Sequence, residues 1–162
     1  MRKFEVVSAF KDKGVILPTR ATEFSAGYDI RVLTPNESYI ELGPMGRALF
    51  HTGIKVYMER DEVFIIFLRS SIGIKNHLIL SNTVGVIDSD YVDNIKNEGE
   101  ILVSLTNMSD VPQYINHNER VAQGVFMKYL TTDDDNTVIR RMGGIGSTDY
   151  RSQYITYSSS CA

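Results

Sequence analysis

Short apolar runs, fenced by glycine, proline, asparagine or aspartate, recur along the chain at residues 4–8, 28–33, 39–42, 48–51, 54–57, 63–68, 78–80, 101–106 and 125–130. No stretch sustains the three-to-four residue spacing of an amphipathic helix. Runs of this length, parted by turn residues every ten or so positions, predict an all-β domain, an antiparallel sandwich or barrel. The four prolines, Pro18, Pro35, Pro44 and Pro112, fall between the runs, where a missing amide hydrogen costs no ladder bond. Residues 63–68, Val-Phe-Ile-Ile-Phe-Leu, predict the most buried strand. The one helix the pattern allows is a short turn over 70–76, beginning at a serine able to cap it.

Composition narrows the picture. A chain of 162 residues suits one domain and buries roughly 68–70% of its unfolded surface. Its 43% apolar and 23% charged residues exclude disorder as the main state. A net charge of −3 argues against a protein that grips nucleic-acid backbones, while leaving room for a local anion pocket. The longest apolar run is far short of a membrane span, and the start Met1-Arg2-Lys3-Phe4-Glu5 meets charge too early for a signal peptide. The single cysteine, Cys161, forms no internal disulfide, and His51, His77 and His117 are too scattered for a zinc site. These features together predict a cytoplasmic protein with no membrane and no nucleic-acid partner. Residues 149–162, rich in serine and tyrosine, bury little on their own and are expected to be a tail, mobile or docked on another chain.

Five polar or glycine-rich stretches lie beside the strands. Asp29, in Ala26-Gly27-Tyr28-Asp29-Ile30, is an acid at a loop-to-strand boundary; taken alone, such a residue is commonly a turn former. Arg69-Ser70-Ser71 sets a cation and two hydroxyls at a helix start, suited to phosphate and equally to helix capping. In the stretch from Asn82 to Tyr91, apolar neighbours are expected to hold Asp88 against the core as a carboxylate base, and Asn82 offers both donor and acceptor. Spacing alone does not choose between Asp88 and Asp90. The fourth stretch is Glu119-Arg120-Val121-Ala122-Gln123. The fifth, Gly143-Gly144-Ile145-Gly146-Ser147-Thr148 after Arg140-Arg141, suits a polyphosphate wrapped by backbone amides or a plain surface loop; it is not a P-loop, lacking the following lysine.

The order and spacing of these five stretches resemble the five motifs of the homotrimeric dUTP pyrophosphatase (dUTPase) family, including bacterial and phage members. The resemblance covers residues 26–148, within an expected single domain of residues 1–148. It implies a jelly-roll-like (β-clip) fold and a trimer with three shared sites. Each site takes its third motif from one subunit, its first, second and fourth from another, and its fifth from the third. Residue by residue, Asp88 matches the aspartate that orients and deprotonates water, and Gln123 the glutamine near the phosphates. Asn82, Gly85, Val86, Ile87 and Leu102 match the uracil-reading groups, and Tyr91 the tyrosine under the deoxyribose. Arg69, Ser70 and Ser71 match the binders of the α- and β-phosphates. Asp29 matches an acid that holds magnesium through water, so Mg²⁺ is implied without a dedicated protein cage. Arg140, Ile145, Gly146, Ser147 and Thr148 match the closing fifth motif. The implied reaction is dUTP plus water giving dUMP and pyrophosphate, which limits uracil incorporation into DNA and supplies dUMP.

The sequence also departs from the family pattern. Leu68 stands where proline commonly precedes the second motif, and Asn118 where glycine precedes the fourth. Residues 92–100 are longer than the usual tight hairpin and are expected to reshape the pocket rim or a subunit contact. Arg141 replaces a usual glycine, and Ile145 the aromatic that stacks on uracil. Two other readings share the fold: a dCTP deaminase, which lacks the Ile87–Tyr91 arrangement, and a dUTPase-like trimer acting mainly as a protein-binding regulator.

Overall fold

Twelve strands and one α-helix form in the computed structural model, which describes residues 1–138, 141 and 143. The strands are β1 (Lys3–Val6), β2 (Thr19–Arg20), β3 (Tyr28–Arg31), β4 (Tyr39–Leu42), β5 (Arg47–His51), β6 (Ile54–Tyr57), β7 (Glu62–Leu68), β8 (Leu78–Leu80), β9 (Gly85–Asp88), β10 (Leu102–Asn107), β11 (Gln113–Asn116) and β12 (Arg120–Lys128). Helix α1 spans Ser70–Asn76. The strands pair antiparallel in four small sheets, of order β2-β3-β12-β7-β9, β5-β10-β8, β1-β6 and β11-β4. Among the described residues no helix is long and apolar enough to cross a membrane.

The period-two pattern decides which faces meet. In β10, Val103, Leu105 and Asn107 point into the core while Leu102, Ser104 and Thr106 stay half-buried on the other face. Ile30, Val32, Phe50, Phe64, Ile101, Ile115 and Val121 complete a core drawn from all the sheets. Phe64 anchors an aromatic group with Phe4 and Phe126, at ring separations of 5.5 and 4.8 Å. Such contacts add about 0.5–1.5 kcal/mol each beyond area burial.

Several expectations need correction. Strand β7 is not buried throughout: Phe64 and Ile66 face the core, Val63 and Ile65 are half-buried, and Phe67 is 37% exposed. An antiparallel sheet packs one face, so its outer apolar side chains remain for another surface to cover. Helix α1 occupies the expected residues, but its N-cap is Arg69 and no side chain caps it. The Arg69 carbonyl instead accepts the Ile72 and Gly73 amides. Strands β2, β9 and β11 lie where the apolar pattern shows no run, because each carries few inward side chains and owes its place to a neighbouring strand. Strand β12 begins at Arg120, not at 125. The expected tail 149–162 lies outside the described residues.

Candidate active site

Strand β9 runs along the outside of β7, with Ile66 opposite Gly85 and Val63 opposite Asp88. Between this strand pair and the outer face of β10 opens a cavity of about 510 Å³. Asn82, Gly85, Val86, Ile87, Tyr91 and Leu102, the six residues matched to uracil and sugar, all line it. Ser81 and Ser104 add hydroxyls 2.8 Å apart on the same wall, a pair the sequence reading passed over. Their signal was available in principle: Ser104 alternates with the buried residues of β10 and so had to face outward.

Asn82 is placed by a tight turn. Thr83 carries a positive φ of 62°, and its hydroxyl donates to the Asn82 carbonyl at 2.6 Å. A β-branched residue in this region is strained by about 1–3 kcal/mol, and such strain is tolerated where it fixes a functional group. Tyr91 is 6% exposed, and burial, the largest influence, pushes its phenol above the usual tyrosine value. The phenol therefore acts as a neutral donor.

Asp88 is the last residue of β9, an edge strand, and its side chain is 47% exposed. This corrects the expectation of a carboxylate held against the core: the apolar neighbours Val86 and Ile87 line the cavity, and Asp88, next in the chain, lies outside its lining. Asp88 and Asp90 open on a second, wider cavity of about 890 Å³ that shares Val86 and Arg141 with the first. The Arg141 guanidinium joins the two acids, through Nη2 to Asp88 and through Nε to Asp90 at 3.2 Å. Its carbon also lies 5.8 Å from the Tyr91 ring centre, within cation–π range. Arg141, set aside in the sequence as a replaced glycine, is thus the fifth-motif arginine that the described structure brings to the site. Arg140, Ile145, Gly146, Ser147 and Thr148 lie outside the described residues.

The remaining polar motifs gather elsewhere. Asp29 on β3 has both oxygens engaged, one by Arg69 Nε at 3.0 Å and the other by Arg120 Nη1 at 2.9 Å, and its side chain is 11% exposed. Gln123 on β12 lies directly opposite Asp29. Gly27 makes room for it: a Cβ there would fall 2.4 Å from Gln123 Oε1. Arg120 and Gln123 are three residues apart and would face opposite ways in a regular strand. A register shift between Arg120 and Ala122 brings them to one side. No task for Arg120 is legible in the sequence, because no periodicity announces a bulge. Ser70 is exposed and Ser71 half-buried, both following Arg69. The first, second and fourth motifs therefore form one cluster.

Asp88 and that cluster sit at opposite ends of β7, while the cavity reaches Ile66 further along the strand. Asp88 pairs with Val63, six residues before Arg69. At about 3.3 Å per residue this separation is about 20 Å, too far for one nucleotide's base-side acid and phosphate cluster to act together within a chain. Among the described residues, no group of three His, Cys, Asp or Glu side chains is placed to hold a metal ion. With its oxygens committed to two arginines, Asp29 suits contact with a hydrated ion better than direct ligation.

Small antiparallel sheets, an edge-strand cavity and a separate arginine–carboxylate cluster define an all-β domain of jelly-roll type. A dUTPase family model matches residues 13–149. The deoxyuridine 5′-triphosphate nucleotidohydrolase of Lactococcus lactis subsp. lactis is 43% identical over 150 residues, covering 91% of this chain and 97% of that protein. The crystal structure of the Streptococcus mutans dUTPase is 41% identical, with a TM-score of 0.71 over 80% of this chain and 98% of that one. A dUTPase mutant from phage phi11 of Staphylococcus aureus shares the fold at 19% identity, with a TM-score of 0.65 over 85% of this chain and 96% of that one; its structure concerns the coordination of a structural Mg(II) ion in that protein. The chain belongs to the dUTPase family.

Proposed function

We propose that the protein hydrolyses dUTP to dUMP and pyrophosphate. The observation that carries this reading is the convergence of Asn82, Gly85, Val86, Ile87, Tyr91 and Leu102 on one cavity, with Asp88 following Ile87 in the chain. Uracil is read by Asn82 and the β9 backbone, and the deoxyribose rests against Tyr91. Asp88 orients a water and takes its proton as that water attacks the α-phosphorus, a role worth about 10²–10⁴-fold for a general base. Arg69, Ser70, Ser71 and Gln123 hold the phosphates, and their share is positioning and stabilisation of oxygens gaining charge. When bound on the triphosphate, Mg²⁺ supplies charge neutralisation there, with Asp29 reaching it through water.

The division of motifs along β7 supports a closed homotrimer in which one subunit's cavity meets another's Asp29–Arg69–Gln123 cluster. The exposed apolar side chains Phe67, Val86 and Met127 are available to such contacts. Substrate entry requires Arg141 to release Asp88. Incubation with dUTP and, separately, dCTP tests the reading: pyrophosphate from dUTP is expected, and ammonia from dCTP would replace it with a deaminase.

A further inference from the structure

The residues between β9 and β10, 92–100, form a closed bracket around the Tyr91 hydroxyl. That hydroxyl donates to the Glu100 carbonyl at 2.9 Å and accepts from Asn97 Nδ2 at 3.0 Å, so it is held from both sides. The same Asn97 amide donates to the Glu100 carbonyl at 3.2 Å. Asn97 Oδ1 accepts from Asn94 Nδ2 at 2.7 Å and from the Gly99 amide at 3.2 Å. Buried Asn94 donates to the Tyr91 carbonyl at 2.9 Å and receives the Lys96 and Asn97 amides. The bracket closes at Gly99, whose φ is +81° and where a Cβ would fall 2.6 Å from Val92 Cα.

Its outside is pinned as firmly. Asp93 takes the Lys55 ammonium at 2.5 Å and the Tyr57 hydroxyl at 2.9 Å, both from β6. Glu98 accepts the Ser8 amide at 2.9 Å, and Glu100 the Gly53 amide at 3.0 Å. A loop built only to join two strands requires no bond to a side-chain hydroxyl. Here Asn97 and the Glu100 carbonyl both close on the hydroxyl of Tyr91, whose ring lines the cavity.

We infer that Asn97 is a positioning residue for sugar discrimination, holding the Tyr91 ring so that it cannot yield to a 2′-hydroxyl. The inference rests on the reading of the cavity as a deoxynucleotide site. Exclusion by crowding works only against a wall that stays in place, and a shift of about 1 Å in a positioned group can cost up to about 100-fold. Asn97 touches the phenol from the far side of the ring and has no place in the cavity lining.

The test measures kcat/KM for dUTP and the inhibition constant for UTP in the full-length protein, in Tyr91→Phe, in Asn97→Ala and in the double variant. Melting curves establish that each is folded. Tyr91→Phe keeps the ring and loses only the hydroxyl, with its bonds to the Glu100 carbonyl and Asn97. Each single variant is expected to narrow the preference for dUTP over UTP about fivefold, the scale of one lost hydrogen bond. The double variant is expected to narrow it by less than the product of the single effects, because the Asn97–hydroxyl bond is common to both. Unchanged discrimination in either folded single variant, or single effects that multiply in the double, would overturn the assignment. Should Asn97→Ala not fold, Asn97→Leu, which fills a similar volume and offers the phenol neither donor nor acceptor, takes its place with the same outcomes. Failure of the wild-type protein to turn over dUTP would sink the underlying reading instead, and is seen before any variant is made.

Discussion

At the residue scale, Asn118 shows how a departure from the family pattern finds its reason in backbone geometry. Its φ is +59°, in the left-handed region that glycine enters freely and asparagine tolerates better than other side chains. The position links β11 to β12 and donates its amide to the Val32 carbonyl, so the turn cannot relax without moving Arg120. Among the described residues, Asn118 Oδ1 is buried and takes no hydrogen bond. Asn118→Gly relieves the strained φ and removes the unsatisfied oxygen, offset by the greater freedom of glycine in the unfolded chain. A net gain of about 0.5–1 kcal/mol is expected, read as a higher melting temperature. A lower one would show that the asparagine contributes a contact of its own.

At the element scale, the sequence yielded the helix at 70–76 and most of the core strands, because these carry enough apolar residues to set a period. It did not yield β9, which reads as part of a polar motif around Asp88 and becomes a strand only by pairing with β7. Nor did it yield the bracket at 92–100, whose order comes from asparagine side chains bonding to backbone, a pattern without periodicity. The site was legible as a list of residues but not as two places, since the separation arises from the register of β7 with its two neighbours. The junction of β5 and β10 has its own pH signature. His51 Nδ1 lies 3.0 Å from Glu100 Oε2, and this hydrogen bond, the largest influence, raises the histidine above its ordinary value. A raised value means that the folded state binds the proton more tightly than the unfolded chain. The stabilisation is therefore full below about pH 6.5 and is lost as pH rises through the higher folded value. The melting-temperature advantage of wild type over His51→Gln is expected to be largest near pH 5.5 and to shrink toward about pH 8. An advantage that grows with pH would show that the ring acts there as a neutral donor to the carboxylate.

At the scale of the whole molecule, the separation of about 20 Å between Asp88 and Arg69 makes a prediction that one chain alone cannot satisfy. Asp88→Asn keeps the shape of the side chain but cannot accept a proton from water, so it should assemble and bind dUTP while losing most turnover. Arg69→Ala should assemble as well, because Arg69 lies at the surface cluster outside the core, while losing its hold on phosphate. Each variant alone is expected to be nearly inactive. Mixed as unfolded chains and refolded together, they form sites in which Asp88 comes from one variant and Arg69 from the other. If the two residues of a site always belong to different subunits, random assembly of equal amounts restores about a quarter of wild-type activity. Sites confined to single chains would restore none, since every chain would carry one lesion. Measuring pyrophosphate release against mixing ratio separates the cases: a maximum at equal amounts is expected for shared sites, and activity that stays at the level of the separate variants at every ratio would place the Asp88 and Arg69 of a site in one chain.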